Sequence, residues 1–173
     1  MHLASKIINK FIAHKDIVFI DNKLNKGKSH CLNQGISVAK GDFVICMDAD
    51  TIVPRDILTK SLSYFTSENI GAVVVGIDVN AKNLLQKATK IEYAIGISLS
   101  LNILSRLNST HVTPGPFTVF RKTVLDKIGG FSTTNITEDM EIAYKIHKNG
   151  YKIKSCLEVE VITEVPSNFK DLY

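Results

Sequence analysis

Apolar and polar positions along this chain follow two rhythms. Short apolar runs bounded by turn-forming residues predict strands at residues 16–21 (DIVFID), 43–48 (FVICMD) and 70–79 (IGAVVVGIDV), with one or two more at residues 151–165. Between them, apolar residues recur every three or four positions, which predicts helices. Leu32, Ile36 and Ala39 follow a candidate cap at Ser29 and precede a candidate closing glycine at Gly41. Residues 54–66 fit a helix with Pro54 in its first turn, and the stretch from Asn83 to Leu107 fits one long helix or two in succession. RKTVLDKIGGF reads as a helix ended by Gly129 and Gly130, after an extended HVTPGPFTVF. Residues 135–149 form another helix, with Asn135 and Glu138 at capping-box spacing and Gly150 closing it. Ile7, Ile8, Phe11 and Ile12 give residues 1–14 the spacing of an amphipathic helix, without the unbroken apolar core of a signal peptide. Strands alternating with helices imply an α/β layered sheet, and residues 43–48, apolar on both faces, imply a central parallel strand.

Composition narrows the class. At 173 residues and 45% hydrophobic content the chain is one globular unit with a sizeable core. The net charge of +4 is spread thinly except at Lys23, Lys26 and Lys28, which argues against a nucleic-acid binder and suits a small anionic ligand. Cys31, Cys46 and Cys156 are far apart within apolar patterns, as reduced core residues in a reducing compartment would be. The longest uncharged run, residues 93–105, falls short of the roughly 20 apolar residues that span a bilayer. His30, His111 and His147 have no metal-site spacing.

The chemistry concentrates where residues 43–48 end in Asp48-Ala49-Asp50. In an extended strand those carboxylates share a face, roughly 7 Å apart at the backbone, at the carboxyl end where open α/β sheets bind ligands. Like charges so placed need a cation or donors between them, and a magnesium-type ion that also takes diphosphate oxygens resolves the repulsion. Two phosphate-handling classes use such a pair: haloacid-dehalogenase-like phosphatases, whose D-x-D-x-T pattern ICMDADT matches, and metal-dependent, nucleotide-sugar-dependent glycosyltransferases. In the phosphatases the motif lies on the first strand of the domain, whereas here a strand, a basic loop and a helix precede it. A non-catalytic assembly module is the third reading.

Reading outward from the pair, the chain resembles the family 2 glycosyltransferases of GT-A fold, in the branch similar to cellulose, chitin, hyaluronan and poly-N-acetylglucosamine synthases. NKGKSHCLNQGISVAKGDFVICMDADT resembles the family's N-x-G-K, A-L-N and D-x-D region, and GPFTVFRKTVLDKIGGF its acceptor loop and G-G-F turn. TTNITEDMEIAYKIHKNGYKI resembles the T-E-D helix, and VITEVPSNFKDLY the approach to a Q-x-x-R-W motif. The resemblance implies a GT-A (Rossmann-like) fold: a mixed, mostly parallel sheet flanked by helices. It implies that residues 1–173 form one partial catalytic domain, a middle piece without the family's first strands, its Q-x-x-R-W segment and the membrane helices beyond.

The same resemblance implies transfer of a sugar, with inversion, from a nucleotide-diphosphate donor, UDP-linked, to a saccharide or lipid-linked acceptor. A divalent metal, Mg2+ or Mn2+, is implied as cofactor. Asp50 is then the metal ligand, and Asp48 contacts the ribose or the metal shell. Lys28, with Lys26 as a second candidate, reaches the phosphates as a point charge. Asn33 joins the donor site, Asp139 is the base that takes the acceptor proton with Glu138 beside it, and Gly115 with Pro116 leaves open backbone for the acceptor. Tyr93, Phe117 and Phe120 are candidates for stacking on sugars, with core packing the commoner use. No nucleic-acid partner is expected. The complete protein is expected on the cytoplasmic side of a membrane, with the helical stretch from Asn83 to Leu107 as a contact for membrane or partner chain.

Overall fold

The computed structural model describes residue 14 and residues 16–168. The helix predicted at residues 1–14 lies almost wholly outside them. In chain order the elements are helix α1 (Lys28–Val38), strand β1 (Phe43–Cys46), α2 (Ile57–Ser63) and β2 (Ile70–Val79). A continuous helical stretch follows, made of α3 (Leu84–Tyr93), a π-helical segment (Ala94–Leu99) and α4 (Ser100–Arg106). Then come β3 (Thr118–Arg121), α5 (Lys122–Ile128), α6 (Glu138–Lys148) and β4 (Lys152–Thr163).

The strands form one mixed sheet in the order β1-β3-β2-β4. β3 runs antiparallel to both β1 and β2, and β2 runs parallel to β4. The sheet is therefore mixed and mostly parallel in strand direction as expected: among the described residues β1, β2 and β4 run the same way and β3 runs against them. The connection from β2 re-enters the sheet at the end where β2 left it, which makes β3 antiparallel. Among the described residues β1 is an edge strand and not a central one, although it runs in the direction of β2 and β4. Its double-sided apolar character has a different cause: Val44 joins one core cluster and Phe43 packs against the other, while Ile45 is 39% exposed. Residues 16–21 form no strand, and Ile17, Val18, Phe19 and Ile20 are exposed. An apolar run becomes a strand only by finding a ladder partner, and none is present among the described residues.

The long apolar run of β2 alternates its side chains between two cores. Ala72 and Val74 face Ile36 of α1, Val124 and Leu125 of α5, and Ile142 and Ile146 of α6. Val73, Val75 and Ile77 face Ile57 of α2, Phe117, Val119 and Val161.

Several helix ends differ from their sequence signals. α1 is capped by Gly27, Ser29 being buried within its first turn, and it stops at Val38 with Ala39 extended, before Gly41. α2 begins at Ile57, after a turn in which the Ile57 amide donates to the Pro54 carbonyl. α6 begins at Glu138 with Thr137 as its N-cap, which puts Asn135 and Glu138 out of capping-box positions, and Glu138 turns toward Lys28. Other signals match: the Asn83 side chain accepts from the Gln86 amide at the start of α3, and Gly129 ends α5 at φ +76°.

Candidate active site

The residues N-terminal to α1 explain how Lys28 is aimed. The Asn25 side chain accepts from the Gly27 amide at 2.9 Å, and Gly27 takes φ +85°, a left-handed conformation that costs glycine little. Lys28 is thereby the first helical residue, and its ammonium lies 2.8 Å from Asp48 Oδ1 and 3.6 Å from Glu138 Oε1. Three separate elements meet at that cation: the start of α1, the turn after β1 and the start of α6. Burial, the largest influence on Lys28, lowers its pKa. The hydrogen bond and charge of Asp48 and then of Glu138 outweigh it, so the ammonium is held above its ordinary value and stays charged.

Asp139 is fixed by the loop that precedes β3. The Thr113 amide and hydroxyl both donate to the Asp139 carbonyl, at 3.1 and 3.0 Å, and the Thr118 hydroxyl donates to the Pro114 carbonyl at 2.9 Å. These bonds seat Pro114 and Gly115 against the first turn of α6. A Cβ on Gly115 would stand 2.6 Å from Asp48 Oδ2 and 2.8 Å from Lys28 Nζ, so glycine lets the loop close directly over the ion pair. One oxygen of Asp139 accepts from the Met140 amide at 2.8 Å, and the other has no hydrogen-bond partner among the described residues.

Lys28, Asp48, Gly115, Glu138 and Asp139 line one cavity of about 300 Å³, walled by Cys31, Cys46 and Phe131 among others. Burial pushes the Cys46 thiol up to about 12, with Lys28 lowering and Asp48 raising it to lesser extents, so this thiol stays protonated at neutral pH. A second cavity of about 210 Å³ shares Pro114, Gly115 and Asp139 with the first and adds Tyr93, His111 and Pro116. Asp139 thus stands at the junction of two cavities.

Two predicted site residues sit elsewhere. Asn33 does not line either cavity: its amide nitrogen donates to the Phe131 carbonyl at 2.8 Å and its oxygen accepts from the Phe131 amide at 2.9 Å. It clamps the turn after Gly130 and so positions the Phe131 wall. Asp48 and Asp50 do not project from one strand face, because β1 ends at Cys46 and both lie in the turn that follows. Asp48 enters the cavity, whereas Asp50 is exposed beside it and makes no ion pair or hydrogen bond through its carboxylate among the described residues. Of the aromatic candidates, Phe117 belongs to the core. Phe120 is buried but reaches the first cavity, and Tyr93 lines the second. Burial, then the charges of Glu92, Asp50 and Asp48, raise the Tyr93 pKa and keep its phenol protonated. The Glu138–Lys28 pair, Thr113 and His111 carried no distinctive sequence signal, since each meets its partner only through the fold.

The donor set suits a hard divalent cation in part. No group of three or more His, Cys, Asp or Glu side chains converges as a ready metal site among the described residues. The acids at 48 and 50 nevertheless offer only oxygen, and among the described residues Asp50 is unpaired and the neighbouring Thr51 hydroxyl is buried without a partner. Magnesium-type sites commonly use one or two carboxylates and complete their shell with phosphate and water.

Residues 9–173 match the family model described as glycosyltransferase like family 2. The chain belongs to that family. Its curated relatives include the poly-beta-1,6-N-acetyl-D-glucosamine synthases of Staphylococcus aureus (strain COL) and Staphylococcus epidermidis, 35% and 34% identical over 152 residues. The alignment takes in 87% of this family 2 chain and 37% of theirs, so the chain spans well under half the length of those relatives. Among solved structures it superposes on a mannosyltransferase of Pyrobaculum calidifontis in complex with GDP-Man and Mn2+. That match has a TM-score of 0.72 and 23% identity, covering 96% of this chain and 45% of the other. It also superposes on residues 1–349 of S. aureus TarS in complex with UDP-GlcNAc, with a TM-score of 0.71 and 13% identity, covering 99% and 49%. The fold is that of the GT-A glycosyltransferases. Family membership decides between the two phosphate-handling readings, against the dehalogenase-like phosphatase.

Proposed function

We propose that the cavity between α1, β1 and α6 binds a nucleotide-diphosphate sugar, UDP-linked, and that Asp139 assists attack on it by an acceptor hydroxyl. One observation carries the proposal: Asp48, Glu138 and Asp139 converge on one cavity with the Lys28 ammonium between the first two. Sugar transfer leaves charge on the departing diphosphate, and a fixed cation aimed at that charge lowers the barrier. Lys28 supplies the cation. The acceptor proton needs a carboxylate oxygen within reach, and Asp139 has one oxygen anchored and one open. Asp48 and Glu138 are both turned to the Lys28 cation, and Asp139 is the single carboxylate assigned to proton transfer, with no second one assigned as a nucleophile. That favours direct displacement with inversion.

Asp50 and Asp48 are the residues that would hold Mg2+ or Mn2+, which when bound supplies further neutralisation of diphosphate charge. The second cavity, with Gly115 and Pro116 on its wall, is the proposed entry of a saccharide or lipid-linked acceptor. The relatives' names support polysaccharide synthesis as the setting, and the cytoplasmic face of a membrane is the proposed location. Titration calorimetry of the chain with UDP-GlcNAc and Mn2+ tests the donor half. Metal-dependent binding that Asp48→Ala removes supports it, and absence of binding returns the chain to a non-catalytic role.

A further inference from the structure

The helical stretch from α3 through α4 displays an apolar stripe that nothing among the described residues covers. Leu84, Ile91, Ile95, Leu99, Ile103 and Leu107 are all more than half exposed, Leu84 at 85%. The opposite face docks on the sheet through Gln86, Leu101 and Ser105, and Lys90 pairs with Asp78 of β2. From Ile91 onward the stripe residues recur every four positions. In an α-helix, four such steps drift by about 160° around the axis, which would wind the stripe onto the buried side. The π-helical segment Ala94–Leu99 has a wider turn, which takes up that drift where Ile95 and Leu99 stand. With the irregular segment offsetting part of the drift, the stripe stays exposed along about 35 Å of helix.

Charge decides what the stripe meets. On the helical wheel, Lys87 and Arg106 fall on one flank of the stripe, both exposed and with no ion pair among the described residues. Lys82 is exposed just before the helix, and Lys154 donates to Asn108 just beyond its end. Glu92, on the other flank, is the one acid within the helical stretch. An apolar stripe with a basic margin matches the boundary between acyl chains and anionic headgroups. No helix among the described residues is long and apolar enough to cross a membrane, so such a helix would lie in the surface. We propose that the stripe from Leu84 to Leu107 is a docking surface for an anionic lipid bilayer, independent of the donor-site reading.

Cosedimentation of the full chain with phosphatidylserine–phosphatidylcholine vesicles and with pure phosphatidylcholine vesicles tests this, alongside I95E/I103E and K87E/R106E. The expected result is partitioning to the anionic vesicles, weaker on the neutral ones, and reduced about tenfold or more in each double variant. Circular dichroism and light scattering monitor fold and mass, and K87E/R106E, which leaves every apolar contact intact, keeps the test decisive if I95E/I103E misfolds. The proposal is overturned if wild type stays in the supernatant, if both vesicles bind it equally, or if folded double variants bind as well as wild type. Conversion of a wild-type dimer to monomer by I95E/I103E overturns it too, since the stripe is then an interface between copies.

Discussion

The Lys28 ammonium lies 2.8 Å from the Asp48 carboxylate, although Lys28 opens α1 and Asp48 follows β1. That pair and the 3.6 Å approach of Glu138 to the same ammonium assemble the first cavity from three parts of the chain. Asp48 is left balanced by a flexible cation, which can follow a diphosphate when one arrives.

Replacing Lys28 with Met removes the cation and leaves two acids facing each other. UDP affinity is expected to fall about tenfold to a hundredfold, the range for losing a hydrogen bond to a charged group. The sign of the pH dependence follows from its raised pKa: what the charged lysine contributes is fully present below the ordinary value of 10.5 and fades only as pH rises through the higher folded-state value. Calorimetry from neutrality to about pH 9 therefore shows no loss of lysine-dependent affinity. A loss in that window would assign the contact to another group.

Gly115→Ala puts a methyl group 2.6 Å from Asp48 Oδ2 and 2.8 Å from Lys28 Nζ. Both neighbours are ends of flexible side chains, so the fold tolerates the change while the pair is pushed apart. Thermal unfolding is expected to shift little and UDP binding to weaken about tenfold. A large drop in stability with unchanged binding would contradict the placement of this loop.

Asn33→Ala removes two hydrogen bonds to the Phe131 backbone. Leaving those groups unpaired is expected to cost about 1–3 kcal/mol in denaturant unfolding. If Asn33 instead contacted the donor directly, binding would fall with stability unchanged.

Cys31 is exposed and lines the first cavity, while Cys46 on the same wall is held protonated by burial. Iodoacetamide at neutral pH should label Cys31 and spare Cys46, and UDP with Mn2+ should slow the labelling of Cys31. Mass spectrometry of the peptides reads both.

The sequence carried clear marks of elements built from local signals and few of those set by distant pairing. β2 matched its ten-residue apolar run, and the Gly129 and Gly150 helix ends matched their glycines, because those signals lie within the segment itself. The direction of β3, the edge position of β1 and the unpaired run at 16–21 depend on which strands meet, information no local window contains. The site divided the same way. Asp48, Glu138 and Asp139 were legible as acids following a strand and opening a helix, and the fold brings them to one cavity. Asn33 was legible as polar within a recognisable motif, yet its partner is Phe131, 98 positions away.

The central claim is that the first cavity holds the donor and that Asp139 acts on the acceptor. It is tested most directly by measuring UDP-GlcNAc binding in the presence of Mn2+ and sugar transfer for wild type, Asp48→Ala and Asp139→Asn. The predicted result is that Asp139→Asn binds donor like wild type and transfers about 10²–10⁴-fold more slowly, whereas Asp48→Ala loses about tenfold to a hundredfold in donor affinity. Donor affinity lost in Asp139→Asn and kept in Asp48→Ala would contradict it.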